Sequence, residues 1–241
     1  VKRLFDTLIA AVALIVLAPF LTLLMILIWF QDWHSPLYIA NRVGKDGKAF
    51  RMVKLRSMVI NADKNGVDST AADDVRITRL GRFIRQFKLD ELTQLWNVLM
   101  GHISLVGPRP NVKADTDLYT LEEQGLLSIR PGITDFSSIV FSDEGDILAG
   151  RDNPDLVYNQ IIRPWKSRLG LFYVKNSNLM VDSKLIGLTI LAIFNKKKSL
   201  QYLAKLLADL GAEEKLIKIC LREDELTPYP PPGANEVVAL R

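Results

Sequence analysis

The longest apolar run in the chain is LIAAVALIVLAPFLTLLMILIWF, Leu8 to Phe30, without a charged residue. It meets the requirement of about 20 apolar residues for a helix that spans a bilayer. No small-residue cleavage site leads from it into a polar start, so it does not read as a cleaved signal. Pro19 stands near its middle. A proline removes a backbone donor and clashes with the preceding turn, so a kink is expected there. Each half then has about eleven residues, roughly 16 Å of helix at 1.5 Å per residue. Lys2 and Arg3 precede the run, and Arg42, Lys45, Lys48, Arg51, Lys54 and Arg56 follow it. Positive charge on both flanks suits a hairpin that enters and leaves by the cytoplasmic face. A spanning helix with a tolerated proline fits the same residues, and a buried core helix is a third reading. Trp29 and Trp33 would suit an interfacial belt.

Beyond the run the pattern changes period. AFRMVKLR alternates in part and follows the turn Gly44-Lys45-Asp46-Gly47-Lys48, which predicts a β-hairpin. Asn61–Asp74 is polar and turn-rich, a surface loop. Next, Arg76, Arg79, Arg82 and Arg85 recur at every third position. On a helix they share one face, with Leu80, Phe83, Ile84 and Phe87 on another. They read either as a solvated face or as a clamp on phosphate, whose geometry arginine matches. In KLDELTQLWNVLMG, Leu89, Leu92, Leu95, Trp96 and Leu99 form a helical stripe that Gly101 stops. Asp90 suits its N-cap and Glu91 its dipole. Pro131-Gly132 predicts a type II turn, and Arg130 beside it is either an anion contact or a loop residue. SKLIGLTILAIFNKKK reads as a buried or membrane-face helix with a cationic end. After Ser199 come two amphipathic helical patterns broken at Gly211, then an extended Pro-rich tail.

The composition narrows the chemistry. With 49% hydrophobic and 24% charged residues over 241 positions, the chain buries an ordinary core and is not disordered overall. A net charge of +4 favours anionic partners. The basic residues are interleaved with acids and a membrane segment instead of lining one recognition helix, which argues against nucleic acid. Cys220 is the sole cysteine, which leaves no disulfide within the chain and no thiolate zinc site, and His34 and His102 lie far apart, so a His-based triad or zinc site is not expected. No GxGxxG or Walker loop occurs. Carboxylates, Arg and Lys must carry any reaction, and a hard divalent cation fits that inventory. The adjacent acids Asp90 and Glu91, arginines on their approach, and Arg109 held between two prolines in GPRP together point to metal-assisted phosphoryl chemistry.

These residues also carry a family likeness. KRLFD, VKLRSM, DDVRITRLGRFIRQFKLDELTQLWNVLMGHISLVGPRP, IRPGIT and YVKNSNLMVDSKL resemble the bacterial sugar transferase family of monotopic phosphoglycosyl transferases, close to its small catalytic form. The likeness runs from about Val1 to Lys198. It implies a helix-rich α+β protein. Residues 1–33 would form a re-entrant membrane helix broken at Pro19. Residues 34–198 would form a small cytoplasmic α/β catalytic domain with interfacial amphipathic helices, followed by an extension over 199–241.

The implied reaction transfers a sugar-1-phosphate from a UDP-sugar to a polyprenyl phosphate, undecaprenyl phosphate being expected, and releases UMP. It is the first membrane step of glycoconjugate assembly, at the bacterial inner membrane. Asp90 would attack the phosphate next to the sugar and form a covalent intermediate, with Asp90 and Glu91 holding Mg²⁺. Lys54, Arg85, Arg109 and Asp182 would line the site, joined at the substrate phosphates by Arg76 and Arg79. A homodimer stays open.

Three features depart from the family pattern. Ala18-Pro19 stands where Ser-Pro is usual. DFSSIVFSDEGDILAG, with Asp135, Asp143, Glu144 and Asp146, replaces the usual stretch after RPGIT. The extension past Lys198 is additional, and reads as an interfacial helical pair, a dimer contact or a partner dock. A silent membrane scaffold and a lipid-phosphate or nucleotide hydrolase are the rival readings.

Overall fold

The structure is a computed structural model that describes residues 1–62, 69–223 and 225–239. Positions 63–68 of the loop expected over Asn61–Asp74 lie outside the described residues, as do Asp224, Leu240 and Arg241.

The chain opens with α1 (Lys2–Trp29), a single helix of 28 residues and about 42 Å. It runs through Pro19, so the expected break of the helix is not there. A proline costs a helix about 3 kcal/mol, and packing on both sides offsets it here. Asp6, Ala10, Leu21, Leu24 and Ile28 are buried, with Leu14 and Leu17 partly buried between them. The spacing by threes and fours is a helical stripe that lies along the rest of the protein. Leu8, Val12, Ile15, Val16 and Leu23 on the remaining surface are exposed. Among the described residues this is the helix long and apolar enough to cross a membrane, and its bare apolar face suits membrane association.

The expected hairpin forms from β1 (Leu37–Val43) and β2 (Ala49–Leu55), antiparallel, with Leu37 opposite Leu55 and Val43 opposite Ala49. Asp46 and Gly47 turn the chain at positive φ. Next comes α2 (Arg79–Gln86), whose N-cap Thr78 accepts from the Gly81 amide at 2.9 Å. Arg76 precedes this helix, so the predicted row of four arginines on one helix reduces to three. Thr78 can cap, and the chain before it bridges Ile77 to Met58 as an extended pair. A Cβ on Gly81 would lie 1.8 Å from the Ser57 carbonyl oxygen, so only glycine lets α2 sit this close behind β2.

After α3 (Gln94–Met100) the chain reverses at Gly101, in the left-handed region at φ 83°. A short parallel pair follows, β3 (Ser104–Val106) and β4 (Gly132–Thr134), with α4 (Lys113–Thr116) between them. The predicted type II turn at Pro131-Gly132 is absent. Gly132 belongs to β4 and is not among the residues at positive φ. Its glycine is needed for close approach instead: a Cβ there would lie 2.1 Å from the Gly107 nitrogen.

The rest is helical: α5 (Phe136–Val140), α6 (Glu144–Leu148), α7 (Pro154–Val157), a π-helical turn at Tyr158–Ile162, α8 (Arg163–Asn176), α9 (Leu179–Phe194), α10 (Lys196–Asp209) and α11 (Glu214–Leu221). Helix α10 crosses position 198, where the extension was expected to begin. Leu203, Leu207 and Cys220 of the extension share one core cluster with Phe136, Leu169 and Tyr173, so α10 and α11 are built into the same core as the rest of the chain. Of the described tail, Tyr229 stacks on Trp165 with ring centroids 4.6 Å apart, and Thr120 Oγ1 donates to the Pro232 carbonyl at 2.5 Å.

Candidate active site

Lys54 owes its position to α3. One edge of β2 pairs with β1, and side chains from α3 satisfy the other. Asn97 Oδ1 accepts from the Val53 amide at 2.9 Å, Asn97 Nδ2 donates to the Arg51 carbonyl at 2.7 Å, and Thr93 Oγ1 donates to the Val53 carbonyl at 3.1 Å. The predicted stripe put Trp96 inside. The reverse is true: Trp96 is 52% exposed and Asn97 only 1%, because the buried face of α3 meets a strand edge that needs polar partners.

Asp90 lies within a 3-10 turn, Leu89–Glu91, whose N-cap position is held by Lys88 in the left-handed conformation (φ 57°). It is not the helix N-cap expected from its sequence position, since Thr93 occupies that place in α3. The turn brings four charged groups together. Lys54 Nζ is 3.9 Å from Asp90 Oδ2 and 3.5 Å from Glu91 Oε1. Arg109 Nη2 donates to the same Glu91 oxygen at 2.5 Å. Arg109 arrives between Pro108 and Pro110, directly after the tight crossing of Gly107 and Gly132.

The two acids feel opposite environments. Burial pushes the Asp90 carboxyl above its ordinary range and Glu91 adds to this, while Lys54, Arg85 and Lys88 work against it. Burial acts on Glu91 in the same sense, but Arg109 and Lys54 override it and hold that carboxyl well below the usual range. The Glu91 charge in turn raises Arg109. Burial lowers the Lys54 ammonium, and Glu91 pulls it back. Paired acids driven apart in this way are suited to different tasks.

Of the residues expected at the site, Lys54, Asp90, Glu91 and Arg109 converge, and Arg85 is near enough to favour the charged form of Asp90. Arg79 is exposed on the first turn of α2. Arg76 is bound to Asp74 at 2.6 Å and to the Ala62 carbonyl at 2.8 Å. Asp182 is buried, ion-paired with Lys2, and accepts from the Tyr173 hydroxyl at 2.5 Å. Residues that the sequence reading passed over are Lys88, Asn97 and Gln94. Gln94, one helical turn after Asp90, buries Nε2 without a hydrogen-bond partner. Its spacing of four from Asp90 was the signal available.

Among the described residues no group of three or more His, Cys, Asp or Glu side chains converges. Among the described residues, Asp90 and Glu91 are the carboxylates that this site offers to a cation. Such a donor set fits Mg²⁺, which takes one or two carboxylates and completes its shell with substrate phosphates and water.

Comparison with known proteins gives the family of the chain. A sequence model of the family described as bacterial sugar transferase matches residues 1–196. The chain is 34% identical over 207 residues to the exopolysaccharide production protein ExoY of Sinorhizobium fredii, covering 80% of this chain and 84% of that protein. It is 31% identical over 196 residues to the UDP-N-acetylgalactosamine-undecaprenyl-phosphate N-acetylgalactosaminephosphotransferase of Aeromonas hydrophila, covering 80% of this chain but 43% of that one. With the UDP-galactose-lipid carrier transferase of Erwinia amylovora the identity is 33% over 204 residues, covering 78% of this chain and 39% of that one. The chain thus spans about two fifths of the length of these last two relatives. With the family model matched over most of its length, the chain belongs to the bacterial sugar transferase family.

Proposed function

We propose that the protein transfers a sugar-1-phosphate from a UDP-sugar to a polyprenyl phosphate, undecaprenyl phosphate being the acceptor named for relatives. The observation that carries this reading is the convergence of a buried carboxylate, Asp90, with Lys54, Glu91 and Arg109. An Asp90 carboxylate oxygen attacks the phosphorus next to the sugar. The bond from that phosphorus to the bridging oxygen breaks, and its electron pair leaves with UMP. An oxygen of the polyprenyl phosphate then attacks the same phosphorus and releases the Asp90 carboxylate. Splitting one displacement into two is the logic of covalent catalysis.

Lys54 and Arg109 neutralise charge on the phosphoryl oxygens, the dominant need of such a transfer. Gln94 Nε2, a buried donor without a partner, is suited to the same oxygens. Mg²⁺, when bound by Asp90 and Glu91, would add Lewis-acid stabilisation of the diphosphate. Arg79 and Arg85 supply positive potential on the approach.

The anchor reading follows from α1. Arg3 donates to the Val98 and Leu99 carbonyls at 2.5 and 2.8 Å, while Ile28 packs with Leu55 and Ile84. Both ends of the helix thus bear on one domain, which supports a monotopic protein held on the cytoplasmic face of the inner membrane. The exposed apolar face of α1, with Leu8, Val12, Ile15 and Val16, would be the surface that enters the membrane.

The test is UMP release from a panel of UDP-sugars by full-length protein in nanodiscs with Mg²⁺ and undecaprenyl phosphate. Continued UMP release beyond the single equivalent set free by the first step should need both lipid acceptor and Asp90. Sustained turnover without acceptor would make the protein a hydrolase, and folded protein inert with every sugar would make it a silent scaffold.

A further inference from the structure

Arg109 is carried by a short rod of chain. Gly107, Pro108, Arg109, Pro110 and Asn111 follow one another, and the two prolines fix their own backbone and restrict the residues before them. The rod is pinned at both ends. At the near end the Gly107 amide donates to the Thr134 carbonyl and the Gly132 amide to the Pro108 carbonyl, each at 3.0 Å. At the far end the Val43 amide donates to the Asn111 carbonyl at 2.9 Å, and Asn111 Nδ2 donates to the Tyr119 hydroxyl at 2.8 Å. Between the pins the Arg109 guanidinium reaches Glu91 at 2.5 Å. Pro110 leaves few soft dihedrals to absorb a displacement, so a shift of Asn111 is passed to Arg109.

Tyr119 is in turn held by two parts of the molecule. One is the head of α8. Arg163 donates to the Leu118 carbonyl at 2.7 Å and to the two Glu123 oxygens at 3.1 and 2.5 Å, with its guanidinium 5.7 Å from the centre of the Tyr119 ring. Glu123 and Arg163 are buried, so this support belongs to the core. The other is the C-terminal tail, which meets the next residue: Thr120 Oγ1 donates to the Pro232 carbonyl, and a Cβ on Gly233 would lie 3.0 Å from the Glu122 side chain. The tail is fastened on either side of that contact. Arg168 donates to the Pro230 carbonyl, the Tyr229 amide to the Gln160 carbonyl and Gln160 Nε2 to the Val238 carbonyl, each at 2.9 Å. Besides its stack on Trp165, the Tyr229 ring has Lys215 Nζ 3.8 Å and Arg168 Cζ 4.7 Å from its centre, which adds cation–π attraction. Pro231 and Pro232 are buried, and prolines have little backbone freedom to lose on docking.

A cation aimed before the substrate arrives needs no reorganisation at the moment of reaction, and a misplacement of about 1 Å can cost about 100-fold in rate. Resting on the transferase reading above, we infer that Asn111 and Tyr119 are positioning residues that aim Arg109, and that the C-terminal tail holds Tyr119 in place through Thr120. The end of the chain thereby takes part in the reaction through one arginine.

The experiment uses the full chain in nanodiscs. Wild type stands beside Tyr119→Phe, which deletes one hydroxyl, Tyr229→Ala, which unfastens the tail at a point outside the rod, and Tyr119→Phe in an Arg109→Lys background. Hydrogen exchange of the Val43 amide reads the far pin with no ligand present. In both single variants it should become faster, while the Val53 amide, held by Asn97, should exchange as in wild type. With the UDP-sugar that wild type uses best, kcat/KM should fall roughly 10-fold in Tyr119→Phe and by less in Tyr229→Ala. That penalty should shrink in the Arg109→Lys background, because residues that act through one another are not additive, whereas a purely structural loss would multiply. Tyr229→Ala carries the test alone if Tyr119→Phe does not fold. Unchanged Val43 exchange, wild-type kcat/KM despite faster exchange, or an equal penalty in both backgrounds would overturn the inference. Faster Val43 exchange in the variants of a wild type inert with every UDP-sugar would sink the transferase reading alone.

Discussion

Asn97 completes the free edge of the strand at Val53: its Oδ1 accepts the Val53 amide at 2.9 Å while Nδ2 donates to the Arg51 carbonyl at 2.7 Å. One buried amide stands in for a missing strand, and Lys54 is the next residue along. Asn97→Ala strands two backbone groups. Each buried orphan costs about 1–3 kcal/mol, so thermal unfolding should occur clearly earlier. Because the strand that aims Lys54 loosens too, activity per folded molecule should also fall. Asn97→Asp should remain impaired, since a carboxylate cannot donate to Arg51.

The opposed environments of Asp90 and Glu91 make opposed stability predictions. Glu91 is held below its ordinary value of 4.5, so its charge stabilises the fold above that pH and the benefit is lost on acidification. Glu91→Gln should lower the unfolding temperature at pH 7, with a gap from wild type that begins to narrow only as the pH falls below about 4.5. Asp90 is raised above its ordinary value of 3.8, so its ionisation opposes folding at neutral pH. Asp90→Asn should unfold at the same or a higher temperature than wild type while losing turnover. A large drop in unfolding temperature for Asp90→Asn would show that this acid is structural.

Lys2 and Asp182 tie the head of α1 to α9. Asp182 keeps 1% of its side chain exposed against 37% for Lys2. Removing Lys2 strands a buried charge, which costs about 3–5 kcal/mol, whereas removing Asp182 frees an ammonium that can reach water. Lys2→Met should therefore destabilise more than Asp182→Asn in nanodisc unfolding assays. Folded Asp182→Asn should turn over within about threefold of wild type. Turnover abolished at unchanged stability would place Asp182 in the chemistry.

Cys220 is buried among α10 and α11 and its thiol is pushed up to about 12 by burial. A thiol that stays protonated is a poor nucleophile. Maleimide labelling at pH 8 should be negligible in the native protein and complete on unfolding. Above its ordinary value of 9.0 the unfolded thiol ionises first, so this group lowers stability as pH rises from about 9 towards 12. Rapid native labelling would mean that α11 opens readily, against its place in the core.

Local pattern was enough for much of this protein. Alternation around Gly44–Lys48 specified the hairpin, because a turn and a period of two act over neighbouring residues. The apolar run specified a long helix at the head of the chain, Gly101 marked the end of α3 and Gly211 the break between α10 and α11, and the acid pair Asp90-Glu91 with Arg109 between prolines stood out locally, while the family resemblance added Lys54. Positions that depend on distant partners were decided only by tertiary structure. Helix α1 stays whole through Pro19 because the domain packs along its length. Trp96 faces out and Asn97 in because a strand edge lies beneath α3. Gly132 serves a backbone crossing with Gly107 that no local turn rule describes. Asp182 meets Lys2 across 180 residues of chain, and Asp143 meets Lys196 and Arg222 from the far end. A sequence sets which charges are present, but burial and the pairing of residues remote in the chain decide which of them react and which hold the fold.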